Sequence, residues 1–198
     1  MQSSSFLKCS ALLLSFFLSA SVASTTNSSE ESSLNGFRYW VTGHDPKTIQ
    51  LIPDSGNNGL THEKSATIAH VKFNVAQYGE LSFPLNVDSL PEQEALGVDL
   101  SKSKFVKITY KANHPVILQL RQKGVHGGVQ NHITLPVAKT FVTYTANFSD
   151  FTGGLKPLDL HDVAKFNFAF LSNNEKDGFA ELIVKRVVVD DYKPLPRK

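Results

Sequence analysis

The sequence predicts an all-β protein, an antiparallel β-sandwich. Three observations carry this. Apolar and polar residues alternate with period two through most of the chain. Turn signals recur between the alternating runs. No window of helical length shows a 3.6-residue apolar stripe. Many short, half-buried strands at this spacing fit two packed sheets better than any helical layering.

The elements follow in order. Phe37–Val41, Thr67–Val75 and Leu81–Val87 are the first strand candidates. Phe105–Lys111 sets Val106, Ile108 and Tyr110 on one face and Lys107, Thr109 and Lys111 on the other. Val116–Arg121 turns Leu118 and Leu120 inward and Gln119 and Arg121 outward. His132–Leu135 and Phe141–Phe148 come next. In Ala164–Phe170, Phe166, Phe168 and Phe170 share a face, opposite Lys165 and Asn167. Ala180–Val189 is the last strand. Punctuation comes from Asp54–Gly59, His114-Pro115, Gly127-Gly128, Gly153-Gly154 and Asp177-Gly178.

The start of the chain reads as an export signal. Lys8 precedes an apolar run, Ala11–Leu18, and Ser21-Val22-Ala23 has the small-x-small pattern of a cleavage site. The run is shorter than the roughly 20 apolar residues that span a bilayer. The polar stretch 24–36 (STTNSSEESSLNG) is expected to be disordered. The expected organisation is a signal peptide at 1–23, a Ser-rich segment at 24–36, a sandwich at 37–192 and a basic tail at 193–198. The product is expected to be secreted or periplasmic.

Of 198 residues, 20 are Lys or Arg and 18 are Asp or Glu, and there is one cysteine. Loss of Lys8 and Cys9 with the signal leaves 19 basic against 18 acidic residues and no cysteine. That balance gives no electrostatic case for nucleic acid or an anionic membrane. Without cysteine there is no disulfide, thiolate ligand or cysteine nucleophile. Stability must come from the apolar core, which a monomer of this length can build.

Beyond alternation, the order of elements is specific. Val98-Asp99-Leu100-Ser101 introduces the Phe105 strand. A second strand, a Gly-containing loop and Leu135-Pro136 follow. Then come Phe141-Val142-Thr143-Tyr144-Thr145-Ala146-Asn147-Phe148-Ser149-Asp150-Phe151, the Leu158-Asp159-Leu160 lead and the Phe166/Phe168/Phe170 strand. This succession resembles the galactose-binding-like jelly-roll carbohydrate-binding modules attached to cellulases and other β-glucanases. The same outline occurs in complex I intermediate-associated proteins. The resemblance covers residues 37–192. Phe141 stands where such modules usually have Trp. The first strand, Phe37-Arg38-Tyr39-Trp40, lacks the acidic residue that often accompanies a structural calcium. Asp190-Asp191 is the remaining candidate for that ion, and no other cofactor is expected.

The resemblance implies a polysaccharide or oligosaccharide partner, of β-glucan type, on the polar face of the sandwich. The outward residues there are expected to be Lys107, Thr109, Gln119, Arg121, His132, Thr134, Lys165 and Asn167. Planar donors and amides on rigid strands suit hydroxyl-rich ligands. His126, Gln130 and Asn131, in the glycine-containing loop 124–132, are placed at the edge of that face. Trp40, Tyr39, Tyr78 and Phe141 are the options for stacking on a sugar, with Trp40 the best exposed by alternation.

Catalytic patterns are thin. The chain has no Gly-x-Ser-x-Gly and no His-Glu-x-x-His. A stand-alone, non-catalytic binding module is the leading reading. A lyase or glycoside hydrolase using the same face, and a secreted interaction protein without a sugar ligand, remain open.

Overall fold

Among the described residues, period-two alternation builds two five-stranded sheets, as a computed structural model shows. The structure describes residues 37, 40–53, 68–86, 96–125, 129–171 and 179–193. The expected signal, the Ser-rich segment and His126 lie outside the described residues. The strands are β1 (Val41–His44), β2 (Ile49–Ile52), β3 (Ala69–Asn74), β4 (Tyr78–Pro84), β5 (Phe105–Ala112), β6 (Val116–Gln122), β7 (Asn131–Leu135), β8 (Ala138–Asn147), β9 (Val163–Leu171) and β10 (Ala180–Val189). The first sheet has the order β1-β4-β9-β6-β7 and the second β2-β3-β10-β5-β8. Every pairing is antiparallel.

The core lies between the sheets. Phe83, Phe166, Phe168 and Phe170 face it from the first sheet, and Val71, Phe73, Val106, Ile108, Tyr110, Leu182 and Val184 from the second. The rings interlock edge to face: Phe83 and Phe168 at 5.7 Å, Phe37 and Phe83 at 6.0 Å. Each buried Phe contributes about 1.5–3 kcal/mol by leaving water. The one polar atom on Tyr110 is satisfied inside, its hydroxyl donating to the Pro136 carbonyl at 2.7 Å. Burial, and then the neighbouring Tyr144, push that phenol up to about 12.

Consecutive strands repeatedly change sheet, and Asp45 pins one such corner. It sits in the β1–β2 turn, and its carboxylate accepts the backbone N–H groups of Lys47 and Thr48, which lead into β2. It also accepts those of Gln77 and Tyr78, which lead into β4, and the Thr48 hydroxyl. Burial alone would raise its pKa. The Thr48 hydroxyl and the Tyr78, Lys47 and Gln77 amides outweigh it and hold the group well below the usual carboxylate range.

Trp40 corrects an expectation. It is 4% exposed and packs in the core. Strand β1 begins only at Val41, and Phe37 is buried as well. Alternation therefore does not run unbroken from 37 to 41, and counting faces back from Phe37 misplaced the indole. Its Nε1 has no hydrogen-bond partner among the described residues.

Candidate functional site

On the outer face of the first sheet, register places polar side chains in rows running across the strands. The central row joins Ser82 of β4, Asn167 of β9, Gln119 of β6 and His132 of β7. One step along the strands, Pro84, Lys165 and Arg121 are neighbours; one step the other way come Gly43, Glu80, Ala169, Ile117 and Thr134. Beyond Glu80, Tyr78 closes the face opposite Leu171.

The middle of the row is a fixed network. The Ser82 hydroxyl donates to Asn167 Oδ1 at 2.5 Å, and Asn167 Nδ2 donates to Glu80 Oε2 at 3.3 Å. Asn167 is 0% exposed although it points away from the core. Lys165 Nζ donates to the Ser82 hydroxyl at 3.4 Å. Its pKa is lowered, first by burial and also by Arg121, with Glu80 working the other way. Gly43 makes room for this arrangement: a Cβ there would stand 2.9 Å from Glu80 Oε1.

His132 is oriented from behind. Its Nδ1–H donates to the Gln130 carbonyl at 2.9 Å, which leaves Nε2 of the neutral ring as an acceptor. A segment after β8 docks along β7 and covers that edge: His132 N donates to Thr152 O at 3.0 Å, and Thr152 N returns to His132 O at 3.3 Å. Gly153, at φ +80, permits the approach; a Cβ there would meet the His132 ring at 3.1 Å. Gln130 and Asn131, expected to reach a ligand, are buried and hold backbone instead. Gln130 Nε2 donates to Val125 O, and Asn131 bridges Lys156 O and Gly154 N.

By contrast, no hydrogen bond or ion pair joins the half-buried side chains of Gln119 or Arg121 to other groups among the described residues. They point from rigid strands toward whatever occupies the face. Tyr78 is 39% exposed and supplies a ring at its far end.

Of the residues expected on one polar face, the structure brings together Gln119, Arg121, His132, Thr134, Lys165 and Asn167. Lys107 and Thr109 are not with them. Both lie on β5, on the outer face of the second sheet. Period two separates inward from outward but does not say which sheet a strand joins. There Lys107 Nζ stands 5.0 Å over the Phe105 ring, and Thr109 hydrogen-bonds Thr143 at 2.9 Å. Phe141, 46% exposed, is on that second sheet too. Sequence reasoning missed Glu80 and Ser82. The Tyr78/Glu80/Ser82 alternation against Gly79/Leu81/Phe83 was the signal.

Among the described residues, no group of three or more His, Cys, Asp or Glu side chains is placed to hold a metal. Asp190, a candidate calcium ligand, accepts the Lys104 N–H at 3.0 Å and so caps the start of β5. No described helix is long and apolar enough to cross a membrane.

No family model matches the sequence, and no curated protein matches it. Solved structures do. The family 11 carbohydrate-binding module of the cellulosomal cellulase Lic26A-Cel5E of Clostridium thermocellum superposes with a TM-score of 0.51 at 16% identity, covering 80% of this chain and 92% of that one. The family 11 module from Clostridium thermocellum in complex with a β-1,3-1,4-mixed-linked tetrasaccharide gives 0.49 at 15% identity, covering 80% and 91%. A family 30 carbohydrate-binding module gives 0.43 at 13%, covering 62% and 76%. With its two antiparallel sheets and the first of these superpositions, the chain has the jelly-roll sandwich fold of a carbohydrate-binding module.

Proposed function

We propose that the chain is a secreted, non-catalytic carbohydrate-binding protein that holds a polysaccharide of β-glucan type across the outer face of its first sheet. One observation carries this reading: a preorganised polar row, Ser82–Asn167–Gln119–His132, in which the inner groups fix each other, while Gln119 and, on the neighbouring row, Arg121 keep their donors unengaged among the described residues. Hydroxyl-rich ligands are recognised by amides, imidazole and guanidinium held on rigid strands. Tyr78 offers the apolar ring face against which the C–H face of a sugar packs. The superposed cellulase module is named for carbohydrate binding, which supports the same class of ligand. The signal-like start of the chain supports an extracellular or periplasmic location, where such polymers are met.

The test is affinity electrophoresis through gels containing soluble β-glucans, with calorimetry on oligosaccharides. The wild type is retarded and the double variant Gln119→Ala/Arg121→Ala runs free, with an unchanged melting transition. A folded wild type that no polysaccharide retards overturns the reading.

A further inference from the structure

The rows of the first-sheet face are not electrically even. Arg121 of β6 and Lys165 of β9 are directly opposed in the ladder. Like charges directly opposite across strands are destabilising, so such a pair needs a reason. The next strand offers no carboxylate on that row, because Lys165 is opposed there by Pro84. Among the described strand residues of this face the one acid is Glu80, two rows away along β4, and its carboxylate already accepts from Asn167. No ion pair joins Glu80 to Lys165 or Arg121 among the described residues. Two half-buried cations thus stand side by side at one end of the polar row, with the exposed Tyr78 ring at the other. The six residues from Lys165 to Leu171 place these ends about 20 Å apart, room for several sugar rings.

We propose that this face selects an anionic glycan, whose carboxylate or sulfate group seats between Arg121 and Lys165 while Gln119, Asn167 and His132 read the neighbouring hydroxyls. Among the described residues Glu80 offsets Lys165 only in part, and the ligand would supply the remaining counter-charge. The guanidinium fork suits a planar carboxylate bidentately, and the ammonium adds a point charge. Burial of the pair strengthens the contact and spares it from salt screening more than an exposed patch. The inference rests on the glycan-binding reading above and replaces its neutral β-glucan with an acidic polymer as the preferred ligand.

The experiment measures affinity for a polyuronate, for the same polymer after carboxyl reduction, and for a sulfated polymer of similar length, at two salt concentrations. The variants are Arg121→Gln, Lys165→Gln and, on the opposite sheet, Lys107→Gln with Lys111→Gln. The wild type should bind an anionic polymer at least about tenfold more tightly than the reduced one. The uronate and sulfate arms tell which group the pair prefers. Arg121→Gln and Lys165→Gln should each remove the preference, and the opposite-sheet variant should leave it intact. Equal affinity for charged and reduced polymers overturns the inference yet leaves glycan binding standing. Equal loss on mutating the opposite sheet also overturns it, since the attraction is then diffuse. Failure to bind any polymer sinks the parent reading instead.

Discussion

Asn167 and Gln119 are neighbours on one row of the face, yet their replacement by alanine should have opposite consequences. Asn167→Ala removes the acceptor of the buried Ser82 hydroxyl and the donor to Glu80. A neutral buried hydrogen bond contributes about 1 kcal/mol, and leaving its partner unsatisfied costs about 1–3 kcal/mol. The bond to half-exposed Glu80 is discounted for solvent. The sum is a destabilisation of about 2–3 kcal/mol, or a fall in Tm of roughly 5–10 °C for a domain of this size. Gln119→Ala breaks no protein hydrogen bond among the described residues, so stability should move by no more than about 0.5 kcal/mol. Its cost should fall on ligand affinity, about tenfold for a lost hydrogen bond. Thermal melting followed by circular dichroism, paired with calorimetric titration, separates the two. If Gln119→Ala destabilises as much as Asn167→Ala, its amide is a structural group and the division between fixed and free members of the row is wrong.

Two further outcomes follow from the fold. Asp45 has its pKa depressed in the folded state, so its contribution is complete above the ordinary value of 3.8 and fades as pH falls below it. Asp45→Asn should therefore be less stable than wild type at pH 6, with the gap closing below pH 4; a gap that is constant with pH denies the carboxylate its corner-pinning role. Trp40 is the single tryptophan and is buried, so its emission should be blue-shifted and unmoved by saturating glycan. A large shift on titration would place the ligand against the indole.

The sequence made the strands of the two sheet centres plain because both faces obey one period. In β5, β6 and β9, inward Val, Ile, Leu and Phe alternate with polar residues, and the structure keeps every one of those facings. Strand β10 has the expected span. Short edges were harder to see. Ile49–Ile52 pairs with β3, but its four residues, Ile-Gln-Leu-Ile, carry too few alternations to stand out. Strand β4 begins at Tyr78, three residues before the expected Leu81, because Gly79 breaks the apolar pattern where the Phe73 ring fills the space. The candidate site was legible as a set of outward residues and illegible as a surface. Gln119, Arg121 and Asn167 belong to strands that register side by side, whereas Lys107 and Thr109 differ only in the sheet their strand joins, a choice settled by long-range pairing. Asp45 was invisible for a related reason, since its partners at Gln77 and Tyr78 lie more than 30 residues away.

The most direct test of the account is a map of backbone amide chemical shifts during titration with a soluble oligosaccharide that the protein binds. The account predicts that shifts concentrate on β4, β9, β6 and β7, around Ser82, Asn167, Gln119, Arg121 and His132, and spare Lys107 and Thr109 on β5. Shifts centred on the second sheet, or confined to the sandwich edges, would contradict it.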